Sequence, residues 1–490
     1  MTDESRALSP VGFPRQERHG VLLGLQWYQL ALAGAGVLAG CVASAAGGPH
    51  RLFWTSPLWL SLLLLGFLQY DRIPYPVWIL TAARFVARTA THQTSFLAST
   101  EKPVATGSLV LPGGLSSLTI HKTAQGWCFV VDSEAREAFA VMRCRATAFA
   151  LLEDEDKAYA VQEWSRVQAN LAKRPGVARI AIQDYTVQFP ASALEEYYSR
   201  RVAARNPTAA STEWGDRSYK DLVSAAGAAS SHDILVTLVV DTARARRRIR
   251  DAGGGLVGTE QTMRSELEAL ATGLSTHAVR VEEWLSDRQL AEILRGTFDP
   301  SSIVELGQRK GGPKGIDPAQ AGPMGMEEHW THLRTDTGFH QTFWVAEWPR
   351  QKVFAGFLHP LVYVGGFRHT VTQVLRAVPT DRALKDIRSA QEAHETRRRI
   401  NAKFDRPTTR EQLAEEQEVQ QREEEIVAGH GDVRQAAYVT ITAATLEELS
   451  SCRQELESAA ASAFVDLRLL VGQQWAAFIA GALPFGRGLK

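Results

Sequence analysis

VLLGLQWYQLALAGAGVLAGCVASAAGGPHRLFWTSPLWLSLLLLGFLQY, residues 21–70, decides how the rest of the chain is read. It holds two apolar runs, Val21 to Ala46 and Leu52 to Tyr70, and neither contains a charged side chain. Only Gly47, Gly48, Pro49, His50 and Arg51 separate them. An apolar helix needs about 20 residues to cross the hydrocarbon core. Both runs therefore predict membrane-spanning helices, joined as an antiparallel hairpin. A secretory leader cut near Ala43-Ser44-Ala45 would leave the second run in place, so an anchor is expected either way. Aromatic side chains mark the expected interfaces: Trp27 and Tyr28, then Phe53 and Trp54, then Tyr70, Tyr75 and Trp78. Arg6, Arg15 and Arg18 precede the hairpin and Arg72, Arg84 and Arg88 follow it, while the turn carries Arg51 alone. Positive charge stays on the cytoplasmic side. This predicts a two-span protein of the cell membrane with both termini, and the body that follows, in the cytoplasm.

Gly36 and Gly40 form a GxxxG in the first run, a spacing that lets helix backbones approach closely. Pro74 and Pro76 end the second run. Val77 to Thr91 then predicts an amphipathic juxtamembrane helix, with Arg84 and Arg88 four apart on one face among lipid phosphates. A short soluble helix opening the body satisfies the same pattern.

The 490 residues carry 54 Lys+Arg and 54 Asp+Glu. A balanced chain has no global attraction to nucleic acid or anionic lipid, so contact with nucleic acid has no support beyond local patches. Cys41, Cys128, Cys144 and Cys452 form no CxxC and no metal-ligand spacing. Cys128 and Cys144 are equidistant from Arg136, and a hairpin centred there brings them opposite each other.

From Ser108 apolar residues recur with period two. Ser117 to Lys122, Trp127 to Val131 and Phe139 to Cys144 predict strands, the last two flanking the turn Asp132 to Glu137. Leu151 to Lys173 predicts a helix stopped by Pro175-Gly176, Val177 to Val187 a strand and Ala191 to Arg205 a helix. His232 to Val240 (HDILVTLVV) predicts a buried strand. Thr242 is then expected to cap a helix carrying Arg244, Arg246, Arg247, Arg248 and Arg250. Helices at Leu256 to Leu274 and Asp287 to Leu294 follow. The stretch Phe298 to Met326, with six glycines, reads as a linker or long loop. Beyond it come strands near Thr342 to Trp348, Arg368 to Leu375, Ala437 to Thr442 and Val465 to Leu470. Helices at Asp381 to Lys403, Arg410 to Ala428 and Leu446 to Ser462 lie among them, the second with a capping box at Thr408-Thr409-Arg410-Glu411 and a stop at Gly429.

The expected fold class is α+β: a two-helix transmembrane hairpin followed by a body of two ferredoxin-like units. The expected boundaries are a tail at 1–20, the hairpin at 21–72, the juxtamembrane helix at 73–100, a first α+β domain at 101–297, the linker at 298–326 and a second α+β domain at 327–490.

Catalytic signals are missing from the sequence. GQRKGGPKG, residues 307–315, lacks the closing GK[ST] of a phosphate-binding loop. His329 and His332 in EEHWTH do not have the order of a zinc-binding HExxH. There is no GxSxG. No enzyme activity, metal or cofactor is expected. The arginine run from Arg244 to Arg250 fits a solvated, acid-paired helix better than a nucleic-acid contact.

Two further stretches carry a resemblance: EHWTHLRTDTGFHQTFWVAEWP, residues 328–349, and LLVGQQWAAFIAGALPFG, residues 469–486. With the hairpin and its exit WILTAARFVARTATHQTSF, they resemble actinobacterial membrane proteins of conjugation and type IV-like secretion loci. The body is similar to the amino-terminal, non-catalytic half of the VirB/TrbE/CagE secretion ATPases. Leu333, Arg334, Trp348, Pro349, Gln473, Phe478, Leu483, Pro484 and Gly486 are the matching residues. The hairpin resembles the small PrgI-type membrane subunit. The chain stops where that class begins its nucleotide-binding domain, so no ATPase function carries over. The resemblance implies an inner-membrane scaffold that docks a separate ATPase and other channel subunits, in an oligomeric assembly. Gln473, Phe478, Leu483, Pro484, Phe485 and Gly486 are the docking candidates, although the apolar ones equally suit the chain's own core. A type VII-like membrane subunit of the EccE sort, also with two amino-terminal spans and a cytoplasmic body, is the alternative, and a membrane-anchored enzyme is a third reading. A neighbouring secretion ATPase gene favours the first, and WXG-type substrate genes the second.

Overall fold

The computed structural model describes residues 12–13, 26–71, 73–98, 107–146, 149–189, 198, 212–226, 229–275, 279–308, 314–403, 407, 409–427 and 431–489. The start of the first apolar run, the helix expected at 191–205 apart from Tyr198, Arg72, Thr408 and Gly429 lie outside these residues. The chain forms two compact units, Arg15–Ser95 and a body of Met1–Pro14 with Phe96–Lys490.

The smaller unit contains α1 (Trp27–Trp54), α2 (Ser56–Phe67), the two-residue strands β1 (Gln69–Tyr70) and β2 (Ile73–Pro74), and α3 (Tyr75–Ala90). Helical dihedrals fail inside α1 at Gly47 and Gly48. Gly48 takes φ 64°, a left-handed conformation that favours glycine. A side chain on Gly47 would collide with that of Arg51. The break at Thr55 precedes Pro57, which has no N–H to give the preceding turn. Trp27–Gly48, 22 residues, is long and apolar enough to cross a membrane. Ser56–Phe67 is apolar but only 12 residues long. The sequence predicts two spans; the structure shows one helix of spanning length and a shorter apolar partner.

The body is mixed α and β. Its strands are β3 (Ser95–Leu97), β4 (Leu118–Lys122), β5 (Cys128–Asp132), β6 (Glu137–Ala146), β7 (Val177–Phe189), β8 (Ala229–Asp241), β9 (Val279–Trp284), β10 (Gly325–Glu328), β11 (Leu333–Thr335), β12 (Phe339–Glu347), β13 (Arg368–Val378), β14 (Asp432–Ala443) and β15 (Asp466–Leu469). Among the described residues they form a thirteen-stranded sheet in the order β3-β10-β11-β12-β14-β13-β7-β8-β6-β5-β4, with β15 beside β12 and β9 beside β6. The helices are α4 (Asp154–Ala172), α5 (Thr212–Ala226), α6 (Arg246–Asp251), α7 (Gly255–Leu274), α8 (Asp287–Phe298), α9 (Ser302–Gln308), α10 (His359–Val362), α11 (Thr380–Lys403), α12 (Arg410–Val427), α13 (Leu446–Ser462) and α14 (Gln474–Gly481).

What the sequence reads as two ferredoxin-like units is one continuous sheet. β7 pairs antiparallel with β13, from Tyr185 opposite Thr370 to Ile180 opposite Leu375. Both strands are long and free of proline, and an unblocked edge is a template for another strand. β8 shows how period two serves two cores. Leu235 and Val239 join one cluster with β4–β6, α8 and the carboxy-terminal segment. Val236, Leu238 and Val240 join another with α4 and α7. α13 covers β12 and β14 through Leu449, Cys452, Leu456 and Ala460. In the Gly-rich stretch Ile316 and Ala321 are buried, and Arg295 holds Gly322 by a hydrogen bond to its carbonyl (2.9 Å).

Three local expectations are corrected. β5 and β6 pair with Asp132 opposite Glu137 and Val130 opposite Phe139, so the hairpin is not centred on Arg136. The turn is set by the Asp132 carboxylate, which accepts from the N–H groups of Glu134 and Ala135 (3.0 and 2.9 Å). An odd register change flips faces, and Cys128 and Cys144 lie in different clusters. Thr242 does not cap the arginine helix but donates to Arg136 O (2.8 Å), while Asp241 takes the N–H groups of Ala243 and Arg244. The capping box of α12 is formed by Thr409 and Gln412.

His340 is fully buried, its Nε2 2.7 Å from Thr335 Oγ1 and its Nδ1 2.9 Å from Thr442 Oγ1. Burial, and then the charge of Arg368, push its imidazole down to about 3. The native state therefore holds it neutral, and the unfolded chain binds a proton that the native chain refuses. That contribution is present above about pH 6.5 and is lost as pH falls toward 3. Between pH 7 and pH 5 the native chain should lose about 2 kcal/mol more stability than His340→Gln, measured by urea unfolding at the two pH values.

Candidate functional site

α1 and α2 pack against each other through their smallest residues. A Cβ on Gly36 would lie 3.0 Å from Leu63 Cγ and from Trp59 O, and one on Gly40 3.6 Å from the Trp59 ring. Gly66 comes equally close to Gln29 O and Ala33. The contacts run antiparallel, early residues of α1 against late residues of α2. Gln29 is 1% exposed; its Nε2 donates to Gly66 O (3.0 Å) and its Oε1 accepts from Gln26 N (3.0 Å). A buried amide without partners costs a few kcal/mol, so this clasp fixes how the helices meet. The sequence reading missed it, although two glutamines three apart, Gln26 and Gln29, in an uncharged apolar run were the available signal.

Outside that contact the unit presents Leu38, Val42, Phe53, Leu58 and Leu64 to its surroundings. Contiguous apolar surface of this kind marks a membrane or protein interface. Trp27, Trp54 and Tyr70 are exposed, and Trp27 meets Tyr28 edge-on. Trp78 donates Nε1–H to Tyr70 O (3.1 Å), which brings the two aromatic residues together. No residue of α3 is buried. Arg84 and Arg88 sit four apart on it, and the Arg88 guanidinium lies 5.9 Å from the Phe85 ring centroid.

The carboxy-terminal segment takes the second of the two positions left open by the sequence. Phe478, Leu483, Pro484, Phe485 and Gly486 are all buried within the body, and of the six candidates Gln473, at its start, is exposed. Polar groups of the sheet capture its backbone. Gly481 O accepts from Thr372 Oγ1 (2.8 Å) on β13 and from Gln183 Nε2 (3.4 Å) on β7. Pro484 O accepts from Thr237 Oγ1 (3.1 Å), Gly488 O from the Tyr438 hydroxyl (2.7 Å), and Gly486 O from Arg179 Nε. Gln474, unremarked in the sequence, accepts from Thr342 N (3.0 Å). Gly486 has φ 61°, and a Cβ there would lie 2.7 Å from Val239. This segment is a strap laid over the sheet, and its apolar side chains are occupied there.

Several titratable groups elsewhere are structurally engaged. The arginine helix α6 is tied down by Arg248, which with Arg174 clasps the buried Glu266 carboxylate. His329 and His332 stack with ring centroids 4.5 Å apart. Among the described residues no group of three or more His, Cys, Asp or Glu side chains is placed to hold a metal. A cleft of about 480 Å³ is lined by Trp127, Trp284, Arg264, Glu268, Glu283 and Gln289. His232 Nδ1 is 2.9 Å from Asp184 Oδ1 and 3.3 Å from Thr186 Oγ1. Both contacts fall on one ring nitrogen, whereas a relay from carboxylate to hydroxyl uses both.

Residues 228–345, about a quarter of the chain, match a family model described as "Putative type VII ESX secretion system translocon, EccE". The match begins at the start of β8, takes in α6 to α9 and ends in β12. No curated protein matches the chain. Of the two secretion resemblances read from the sequence, this favours the type VII-like one. Nothing in the comparisons supports the PrgI-like or VirB/TrbE-like resemblance.

The α1–α2 contact is testable by crosslinking. The ideal Cβ of Gly66 lies 3.3 Å from that of Ala33, close to disulfide range. With Cys41 replaced by alanine, Ala33→Cys with Gly66→Cys should form a disulfide on oxidation. Adding Gly36→Leu should reduce its yield several-fold, read on a reducing against a non-reducing gel.

Proposed function

We propose that the chain is a non-enzymatic, membrane-anchored scaffold subunit of a type VII-like secretion machine. The observation that carries the reading is the match of residues 228–345 to the EccE model. The apolar helix Trp27–Gly48 supports a membrane location. In this reading α1 and α2 both cross the membrane, the turn at Gly47–Gly48 faces outward, and both termini lie in the cytoplasm. The aromatic residues Trp27, Tyr28, Trp54, Tyr70 and Trp78 sit at the interfaces, and Arg84 and Arg88 near lipid phosphates. The body assembles with other components of the machine, in several copies. Its strap is engaged with the sheet, so partners are met by other surfaces of the body.

The topology can be read with introduced cysteines, because the native thiols of the body are buried. Burial pushes Cys144 up to about 12 and Cys452 up to about 11, and raises Cys128 as well. In a Cys41→Ala chain, a cysteine at His50 should react with an impermeant maleimide in intact cells, and one at Tyr219 only after lysis. Alkaline extraction should leave the full chain in the membrane and release one lacking residues 26–71. Loss of the chain should abolish export of WXG-type substrates. Labelling at position 219 in intact cells would overturn the topology, and undiminished export would overturn the secretion role.

A further inference from the structure

Like charges set directly opposite each other on paired strands repel and destabilise the sheet. The body contains such an arrangement. On β13, Arg376 stands opposite Arg434 of β14. On its other side, the register that places Leu375 opposite Ile180 brings Arg179 of β7 next in line. Arg244, before α6, and Arg382, in the first turn of α11, add their charges to the same guanidinium. All five residues are arginine, the side chain whose planar fork binds oxyanions through two parallel hydrogen bonds.

The charge around Arg376 is only partly compensated. Arg434 pairs with Asp386 (3.0 Å), Arg244 with Asp241 (3.1 Å), and Arg179 with both carboxylate oxygens of Glu137 (2.7 and 2.5 Å). Among the described residues Arg376 and Arg382 make no ion pair, and Asp381 beside Arg382 makes none with it. Arg376 and Arg382, within electrostatic reach of each other, are the two left without a carboxylate partner. Burial, and then the four neighbouring guanidinium groups, lower the Arg376 pKa. Arg244, Arg382 and Arg434 are exposed, so the row is open to solvent, whereas the side chain of Arg179 is mostly enclosed.

We propose that Arg376, flanked by Arg179, Arg434, Arg244 and Arg382, is a binding site for a phosphate group bearing two negative charges. A phosphate dianion matches the two uncompensated charges, whereas one carboxylate neutralises only half. A soluble phosphate compound and a phosphomonoester lipid headgroup share this chemistry. The proposal is independent of the secretion role.

The test uses the full chain in neutral detergent and follows its melting temperature. Arg376→Gln should melt higher than the native chain without anion, because the repulsion is relieved. Millimolar pyrophosphate should raise the native melting temperature by several degrees above a NaCl control of equal ionic strength. The apparent affinity should fall at least tenfold in Arg376→Gln and stay unchanged in Arg250→Gln, an arginine outside the row. Dihexanoyl phosphatidic acid acting at lower concentration than pyrophosphate would assign the site to a lipid headgroup, and the reverse order to a soluble phosphate; either result supports it. The site is overturned if neither probe exceeds the NaCl control, if Arg376→Gln binds as well as the native chain, or if hexaglutamate alone stabilises.

Discussion

One carbonyl oxygen bridges the strand junction at which the two halves of the body meet. Gly481 O accepts from Gln183 on β7 and from Thr372 on β13, the two strands that meet at the middle of the sheet. The strap around it repeats the device, with Thr237, Tyr438 and Arg179 each holding a further carbonyl. A net hydrogen bond contributes about 1 kcal/mol, while an unsatisfied buried donor on the sheet would cost about 1–3 kcal/mol. The buried threonines and glutamines of the central strands therefore require the strap as much as the strap requires them. Phe478, Leu483 and Phe485 add apolar burial of roughly 1.5–3 kcal/mol each. His340 lies under the same segment, its ring 4.7 Å from that of Phe478, which explains why it is held neutral.

Much of this was legible in the sequence, and the failures have a common cause. Strands β4 to β8 and β12 to β14, and helices α4, α7, α11, α12 and α13, follow from period and caps because local chemistry determines them. The union of the halves does not, since pairing of β7 with β13 joins residues nearly 190 positions apart and leaves no periodic trace. Turn chemistry was misjudged where a side chain decides it. Asp132 moved the hairpin centre and put Cys128 and Cys144 on opposite faces, and Asp241 displaced Thr242 from its expected cap. Short pieces such as β9, β10 and α14 carry too few residues to show a period. The Gln29 clasp was not legible, because its partner Gly66 is identifiable only once α2 is packed.

The two units divide the physical tasks. The smaller one has apolar surface that water does not favour and a polar clasp that fixes how its helices meet. The body is fastened across its middle strands by its own carboxy-terminal segment. With that segment engaged, the surfaces that the sheet leaves open include the row of arginines at β7, β13 and β14. The part similar to the EccE model runs from a central strand to the strand that receives Gln474, so it ends at the strap's first anchor point.

The central claim is that the strap holds the β7–β13 junction closed. Amide hydrogen exchange on the full chain tests it most directly, comparing the native protein with Phe478→Ala/Phe485→Ala. The account predicts that amides at 180–185 and 370–375 exchange at least 100-fold faster in the variant, while those of β5 and β6 keep their protection. Unchanged protection at the junction, with the strap amides alone released, would contradict it.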